Sequence, residues 1–250
     1  MSLMSQKLQA VHTSIQAAAA AVSRQPDSVA LLAVSKTFGA DMVLEAIAAG
    51  QRAFGENYLQ EAVAKMTAVD LALRAAHATT APAAEILLEW HFIGPIQSNK
   101  TRPIAEHFAW VHTVEREKIA QRLSEQRPPH IPPLNICLQV NISGEASKSG
   151  MAPAEVLDVA RAVIELPRLR LRGLMAIPEP TQDQQKQHTA FRQTRELLLQ
   201  LQAALPAHAA QLDTLSMGMS ADMAVAIEEG ATIVRVGSAI FGQREQNRQS

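Results

Sequence analysis

Apolar and polar positions along the chain fall into a repeating order. Residues 4–24 carry Ala, Leu, Val and Ile at helical spacing and meet no breaker before Pro26, which predicts an amphipathic opening helix. Val29–Val34 (VALLAV) follows as a short, continuously apolar segment, the pattern of a strand buried on both faces in a parallel sheet. Asp41–Ala49 returns to helical spacing and stops at Gly50, a natural C-cap residue. The unit then recurs. Further strand segments are predicted at Arg52–Phe54, Leu88–Ile93, Ala109–Val114, Leu134–Asn141, Leu171–Ile177, Asp213–Met217 and Thr232–Val236. Helical patterns separate them at Glu56–Met66, Lys100–His107, Glu115–Glu125, Pro153–Glu165, Gln184–Ala204 and Ala221–Glu228. Alternating strands and helices imply an α/β fold with a parallel sheet. Eight such units in 250 residues imply a single (β/α)8 TIM-type barrel with an extra N-terminal helix, a doubly wound open sheet being the competitor.

Two stretches break the rhythm. Thr67–Ala84 is Ala-rich and reads as a helix tail plus a flexible insert; Gln126–Pro133 is a Pro-rich extended connector. The alternation continues across both, so residues 1–250 are expected to form one domain.

Composition narrows the function classes. Hydrophobic residues make up 47% and charged residues 19%, which excludes disorder as the main state. A net charge of −1 lacks the basic footprint of a general nucleic-acid binder, and two Trp, one Tyr and six Phe are few for a base-stacking platform. One cysteine, Cys137, allows neither an internal disulfide nor a thiolate metal cage. No apolar run is long enough for a membrane span, and no signal peptide is visible. A cytoplasmic monomer is the expectation.

In a barrel of this type, chemistry belongs at the C-terminal ends of the strands. Polar groups gather there: Ser35-Lys36-Thr37, Gly55-Glu56-Asn57, Gly94 to Gln97, Asn141 to Gly144, Ser216 to Ser220, and Gly237-Ser238. The loops after the seventh and eighth strands are Gly/Ser-rich and open helical segments, an arrangement suited to phosphate, although Ser220 also fits as an ordinary helix N-cap. Lys36 follows six apolar strand residues and should stand at the barrel mouth. As a Schiff-base lysine its amine must shed a proton to attack an aldehyde, which partial burial or a cation such as Arg235 favours. A lysine and a phosphate cup across one mouth are what a pyridoxal phosphate site needs.

Other patterns carry less. The segment Gly94 to Thr101 misses the P-loop pattern, with Asn99 where the second Gly belongs and Pro95 lacking an N–H. His91, His107, His112 and His130 have no metal-ligand spacing and read as ordinary core or surface residues. Arg168, Arg170 and Arg172 read as a solvated strand edge, Glu228-Glu229 as a solvated helix end, and Met175, Met217 and Met219 as core filler within reach of a ring.

The segments AVSKTF (33–38), FGENYLQE (54–61), WHFIGPIQSNK (90–100), SKSG (147–150), LRGLMAIPE (171–179) and LSMGMSADMAVAIEEGATIVRVGSAIFG (215–242) together resemble the pyridoxal phosphate homeostasis protein family, which is related to the barrel domain of alanine racemase. The resemblance covers most of the chain from Ala33 to Gly242. It implies that Lys36 forms the Schiff base and that Ser216, backbone groups near Met217, and Gly237 and Ser238 hold the phosphate. It also implies that Asn57 lines the ring pocket, that Arg235 faces the pyridine nitrogen, and that Lys148 takes part in cofactor handling. The implied function is storage, buffering and delivery of pyridoxal 5′-phosphate to apo-enzymes. A guanidinium can only donate to the ring nitrogen, which leaves the ring a poor electron sink, and aminotransferase-type sites place a carboxylate there. Racemase relatives bring a second acid/base, a tyrosine, from another domain or subunit, whereas Tyr58 is the one tyrosine here. Slow racemase or lyase chemistry is the alternative.

Overall fold

The computed structural model describes residues 1–79, 86–144 and 149–242, with side chains through residue 76 in the first of these. Eight strands pair in parallel and close on themselves in chain order: β1 (Ala30–Val34), β2 (Ala53–Glu56), β3 (Glu89–Phe92), β4 (Trp110–Val114), β5 (Leu134–Val140), β6 (Leu169–Ala176), β7 (Thr214–Met219) and β8 (Ile233–Val236). Closure runs through β1 and β8, in register at Leu32↔Arg235 and Ala33↔Val236, so the open doubly wound sheet is ruled out. Each predicted strand segment overlaps an observed one.

The strands are largely buried on both faces, and several polar residues, among them Glu56, His91, His112, Ser216 and Arg235, are buried with the apolar ones. Leu32, Trp110, Cys137, Met175 and Ile233 pack together inside the barrel. Leu31, Ala33, Phe54 and Val234 belong instead to the layer between strands and helices. That outer layer is closed by α2 (Ala40–Ala48), α3 (Leu59–Thr79), α4 (Thr101–His107), α5 (Glu117–Gln126), α6 (Val156–Ile164), α7 (Gln184–Ala204), α8 (Met223–Glu228) and the single turn α9 (Ser238–Phe241). The additional α1 (Leu3–Ala21) buries Met4, Leu8, Val11, Ile15 and Ala19, one stripe at steps of three and four, against α8 and α9. Ser2 caps it by accepting from the Ser5 N–H.

Several expectations need correction. The Ala-rich stretch is helical through Thr79, as its strong helix formers favour; residues 80–85 lie outside the described residues. The N-cap position of α8 is Asp222, not Ser220, and its Oδ1 accepts from the Met219 N–H at 2.6 Å. The arginines of β6 do not line a solvated edge, since a closed barrel has none. Arg172 grips Asp213 at 2.6 Å, donates to Asn135 Oδ1, and lies 4.7 Å from the Trp110 ring centre, closing the barrel floor. Arg168, just before β6, is exposed and donates to the Ser124 carbonyl, and Arg170 is exposed as expected. Glu229 is buried and receives His188, Arg192 and Arg195 from α7, at 2.9, 2.9 and 3.1 Å. Among the described residues no helix is long and apolar enough to cross a membrane, and no group of three or more His, Cys, Asp or Glu could hold a metal ion.

Candidate functional site at the barrel mouth

Strand register brings the predicted residues together. Val34 pairs with Gly55, so Lys36 and Asn57, each two residues further on, share one layer at the mouth. Val236 pairs with Ala33, which sets Gly237 and Ser238 beside the same turn; a Cβ on Gly237 would come 3.1 Å from the Val34 carbonyl. Met219 pairs with Arg235, which brings Ser220 to the same rim from β7. Lys36 is half-buried, while Ser220 and Ser238 are exposed. Asn57 Oδ1 is buried with no hydrogen-bond partner among the described residues. Gly94 allows this placement: a Cβ there would lie 2.1 Å from the Asn57 carbonyl oxygen.

The turn carrying Lys36 is clamped from behind. Thr37 has φ +69°, a left-handed conformation that a β-branched residue adopts only when its surroundings impose it. The constraint comes from β2 and α3. Ser35 Oγ donates to Glu56 Oε1 at 2.6 Å, Lys65 Nζ donates to the Ser35 carbonyl at 2.8 Å, and the Thr37 N–H donates to Glu61 Oε1 at 2.6 Å. Lys65 also pairs with Glu56 and Glu61 at 2.6 and 3.0 Å. Burial pushes the Glu56 carboxyl up, against the hydrogen bonds from Lys65 and Ser35 that favour its charged form. Sequence reasoning noticed Glu56 only as a polar strand end and missed Lys65 and Glu61. Their spacing of four in a helix was the one available signal.

Arg235 and Ser216 sit one layer below. The guanidinium is buried, which pushes its pKa down to about 10, and Nη1 donates to the Ser216 carbonyl and hydroxyl at 2.6 and 2.8 Å. Nη2 donates to the Ala176 carbonyl at 3.1 Å. The Ser216 hydroxyl, expected on a phosphate, is fully buried and engaged with Arg235 and with His112 Nδ1 at 2.7 Å. Met217 points the other way, packed between strands and helices, so a ligand at the mouth would meet only its backbone. Lys148 lies outside the described residues.

His91 and His112 are not isolated core histidines. His91 Nδ1 lies 2.8 Å from His112 Nε2, and the His91 ring stacks on Trp110 at 5.3 Å and 4°. Burial lowers the pKa of His91 and holds that of His112 well below the ordinary 6.5. Both imidazoles are therefore neutral in the folded barrel, while in the unfolded chain each takes up a proton near 6.5. Because the folded value is the lower one, their contribution is full above pH 6.5 and is lost as pH falls. The slope is about 1.4 kcal/mol per pH unit for each group. Melting temperature should drop from pH 7.5 to pH 5.5, and His112→Asn should flatten the drop. Glu56 works in the opposite sense, so the comparison with the variant isolates the histidine effect. A slope unchanged in His112→Asn would refute a neutral, buried His112.

Beside Asn57 a cavity of about 430 Å³ opens along the mouth, lined by Tyr58, Gln97, Lys100 and Glu115 among others. Tyr58 is 50% exposed.

Comparison with known proteins places the chain in a family. The family described as alanine racemase, N-terminal domain, matches residues 7–245. A pyridoxal phosphate homeostasis protein of Pseudomonas aeruginosa is 58% identical over 245 residues, covering 98% of this chain and 97% of the relative. One from Escherichia coli K12 is 50% identical over 239 residues, covering 95% of each. The structure of PipY from Synechococcus elongatus with PLP bound superposes with a TM-score of 0.79 at 33% identity, covering 96% of this chain and all of that one. Alanine racemase from Corynebacterium glutamicum, at 14% identity and a TM-score of 0.59 over 95% of this chain and 62% of that one, shares the barrel fold. The chain belongs to the pyridoxal phosphate homeostasis protein family.

Proposed function

We propose that this protein binds pyridoxal 5′-phosphate at the barrel mouth, holds it through Lys36, and stores and delivers it to apo-enzymes of the cytoplasm, the whole chain acting as one barrel unit. The observation that carries this reading is the single layer shared by Lys36, Asn57 and Gly237-Ser238. Family membership supports it, since relatives at 50–58% identity bear the homeostasis name.

When bound, the cofactor supplies an aldehyde that a lysine amine captures reversibly. Lys36 provides that amine, presented by the clamped turn. The residues present fit the rest of the group. The exposed hydroxyls of Ser220 and Ser238, with backbone N–H groups around Gly237, form the phosphate cup, in place of the occupied Ser216 hydroxyl. Asn57 lines the ring pocket. Arg235, still a cation at neutral pH with its pKa near 10, donates to the ring nitrogen and cannot accept from it.

Carrier is preferred to enzyme for two reasons. A guanidinium at the ring nitrogen keeps the ring a weak electron sink. Tyr58, the sole tyrosine, is half exposed and sits on the strand end next to Lys36, not across the mouth from it. Mixing the loaded protein with an apo form of a pyridoxal phosphate enzyme tests the reading. Activity should return to the recipient, while the donor alone leaves added amino acids unchanged. Amino-acid turnover at about 1–10³ s⁻¹, lost in Lys36→Ala, would make it an enzyme and sink the carrier reading.

A further inference from the structure

A line of polar side chains runs through the barrel interior from its floor to the layer beneath the mouth. At the floor His91 Nε2 lies 3.6 Å from Glu89 Oε2, too far for a hydrogen bond, and it has no hydrogen-bond partner among the described residues; both residues line a cavity of about 330 Å³ with Trp110 and Arg172. From His91 the line continues to His112 at 2.8 Å, to Ser216 at 2.7 Å, and to Arg235 Nη1 at 2.8 Å. His91, His112, Ser216 and Arg235 are all 5% exposed or less.

The arginine end dictates the direction of the hydrogen bonds that run from it through Ser216 and His112 to His91. A guanidinium only donates. Ser216 Oγ therefore accepts from Arg235 and gives its own hydrogen to His112 Nδ1. His112 must then carry its proton on Nε2, which donates to His91 Nδ1. His91 in turn carries its proton on Nε2, facing Glu89. The reverse order would leave the Ser216 hydroxyl hydrogen without an acceptor and turn an imidazole lone pair toward the carboxylate. A buried polar group left unmet costs about 1–3 kcal/mol, so one assignment prevails. The lowered pKa values of both histidines agree with neutral rings.

The consequence falls on Arg235. Nη1 is committed to the Ser216 carbonyl and hydroxyl, and Nη2 to the Ala176 carbonyl. Of the five guanidinium hydrogens, one on Nη2 and the one on Nε are left for a ligand. We propose that His112 and His91 are positioning residues for the cofactor, holding Arg235 in one orientation through Ser216 by a hydrogen-bond line of single polarity. This rests on the reading that Arg235 meets the cofactor's ring.

The test has two arms. Nitrogen-15 NMR of the histidine-labelled full chain, before pyridoxal phosphate is added, should show His91 and His112 as neutral rings protonated on Nε2 between pH 6 and 8. His112→Leu should then weaken pyridoxal phosphate binding about tenfold and move the absorption maximum of the bound cofactor. His112→Asn, whose amide oxygen can still accept from Ser216, should recover both. A His112 ring protonated on Nδ1 overturns the proposal, and so does a His112→Leu protein with unchanged affinity and spectrum. If His112→Leu does not fold, Ser216→Ala cuts the line at the hydroxyl and is read in the same way. A wild-type chain with the expected ring states that binds no pyridoxal phosphate would overturn the storage reading. The positioning role would fall with it, and the hydrogen-bond polarity alone would stand.

Discussion

Lys36→Ala is expected to purify without the visible absorption band of the wild-type protein and to give no lysine-linked product after borohydride. In the wild type, borohydride should fix the cofactor onto a single peptide containing Lys36. The effect should be all-or-none for covalent retention, because an alanine offers no amine and Asn57, Ser238 and Arg235 can hold the cofactor only by hydrogen bonds. The fold should be spared. Lys36 is half-buried at the end of β1, and the clamp on its turn uses Ser35 and Thr37, not the Lys36 side chain. Melting of the cofactor-free variant should stay within about 0.5 kcal/mol of cofactor-free wild type, the usual range for a surface substitution. A borohydride-fixed cofactor on any other lysine in wild type would displace Lys36 from the site.

Lys65→Met should produce the largest loss of stability. Its side chain is 3% exposed and its ammonium pairs with Glu56, whose side chain is wholly buried. Removing the cation strands that carboxylate in a medium of low dielectric, a change that costs about 3–5 kcal/mol in buried pairs. For a chain of this size, that corresponds to a melting temperature roughly 10 °C lower. The double variant Lys65→Met/Glu56→Leu should recover a large part of the loss, since no uncompensated charge then remains. Thermal melts of the three proteins decide the matter. A single variant as stable as wild type would mean that the pair is wet. Because Lys65 also holds the Ser35 carbonyl, the single variant should bind pyridoxal phosphate more weakly as well, through a loosened Lys36 turn.

The order of elements was legible because each strand is a short, mostly apolar segment of about four to eight residues between helical segments. That pattern has few alternatives to a parallel sheet covered on both sides. The mouth was legible for a related reason: polar side chains at the C-terminal end of a buried strand have nowhere else to sit. Ser216 and Met217 show where this reasoning stops. Both lie in a stretch buried on its two faces, so no alternation of apolar and polar residues marks which one points inward. His91 and His112 looked ordinary because 20 intervening residues separate two groups that β3 and β4 set 2.8 Å apart. Glu229 looked solvated because a helix end gives no hint of the three basic side chains, His188, Arg192 and Arg195, brought to it by α7.

By itself, then, the sequence determined the alternation of strands and helices, the positions of the strand ends, and the family motifs around Lys36, Asn57 and Gly237. All of these are local or periodic properties of the chain. Closure of β1 on β8, the clamp of Lys65 and Glu56 behind Lys36, and the inward turn of Ser216 toward Arg235 were decided by the tertiary structure alone. Each depends on strand register and on contacts between residues far apart in the chain, and a buried polar group chooses its partner only once the barrel has brought the candidates within hydrogen-bonding distance.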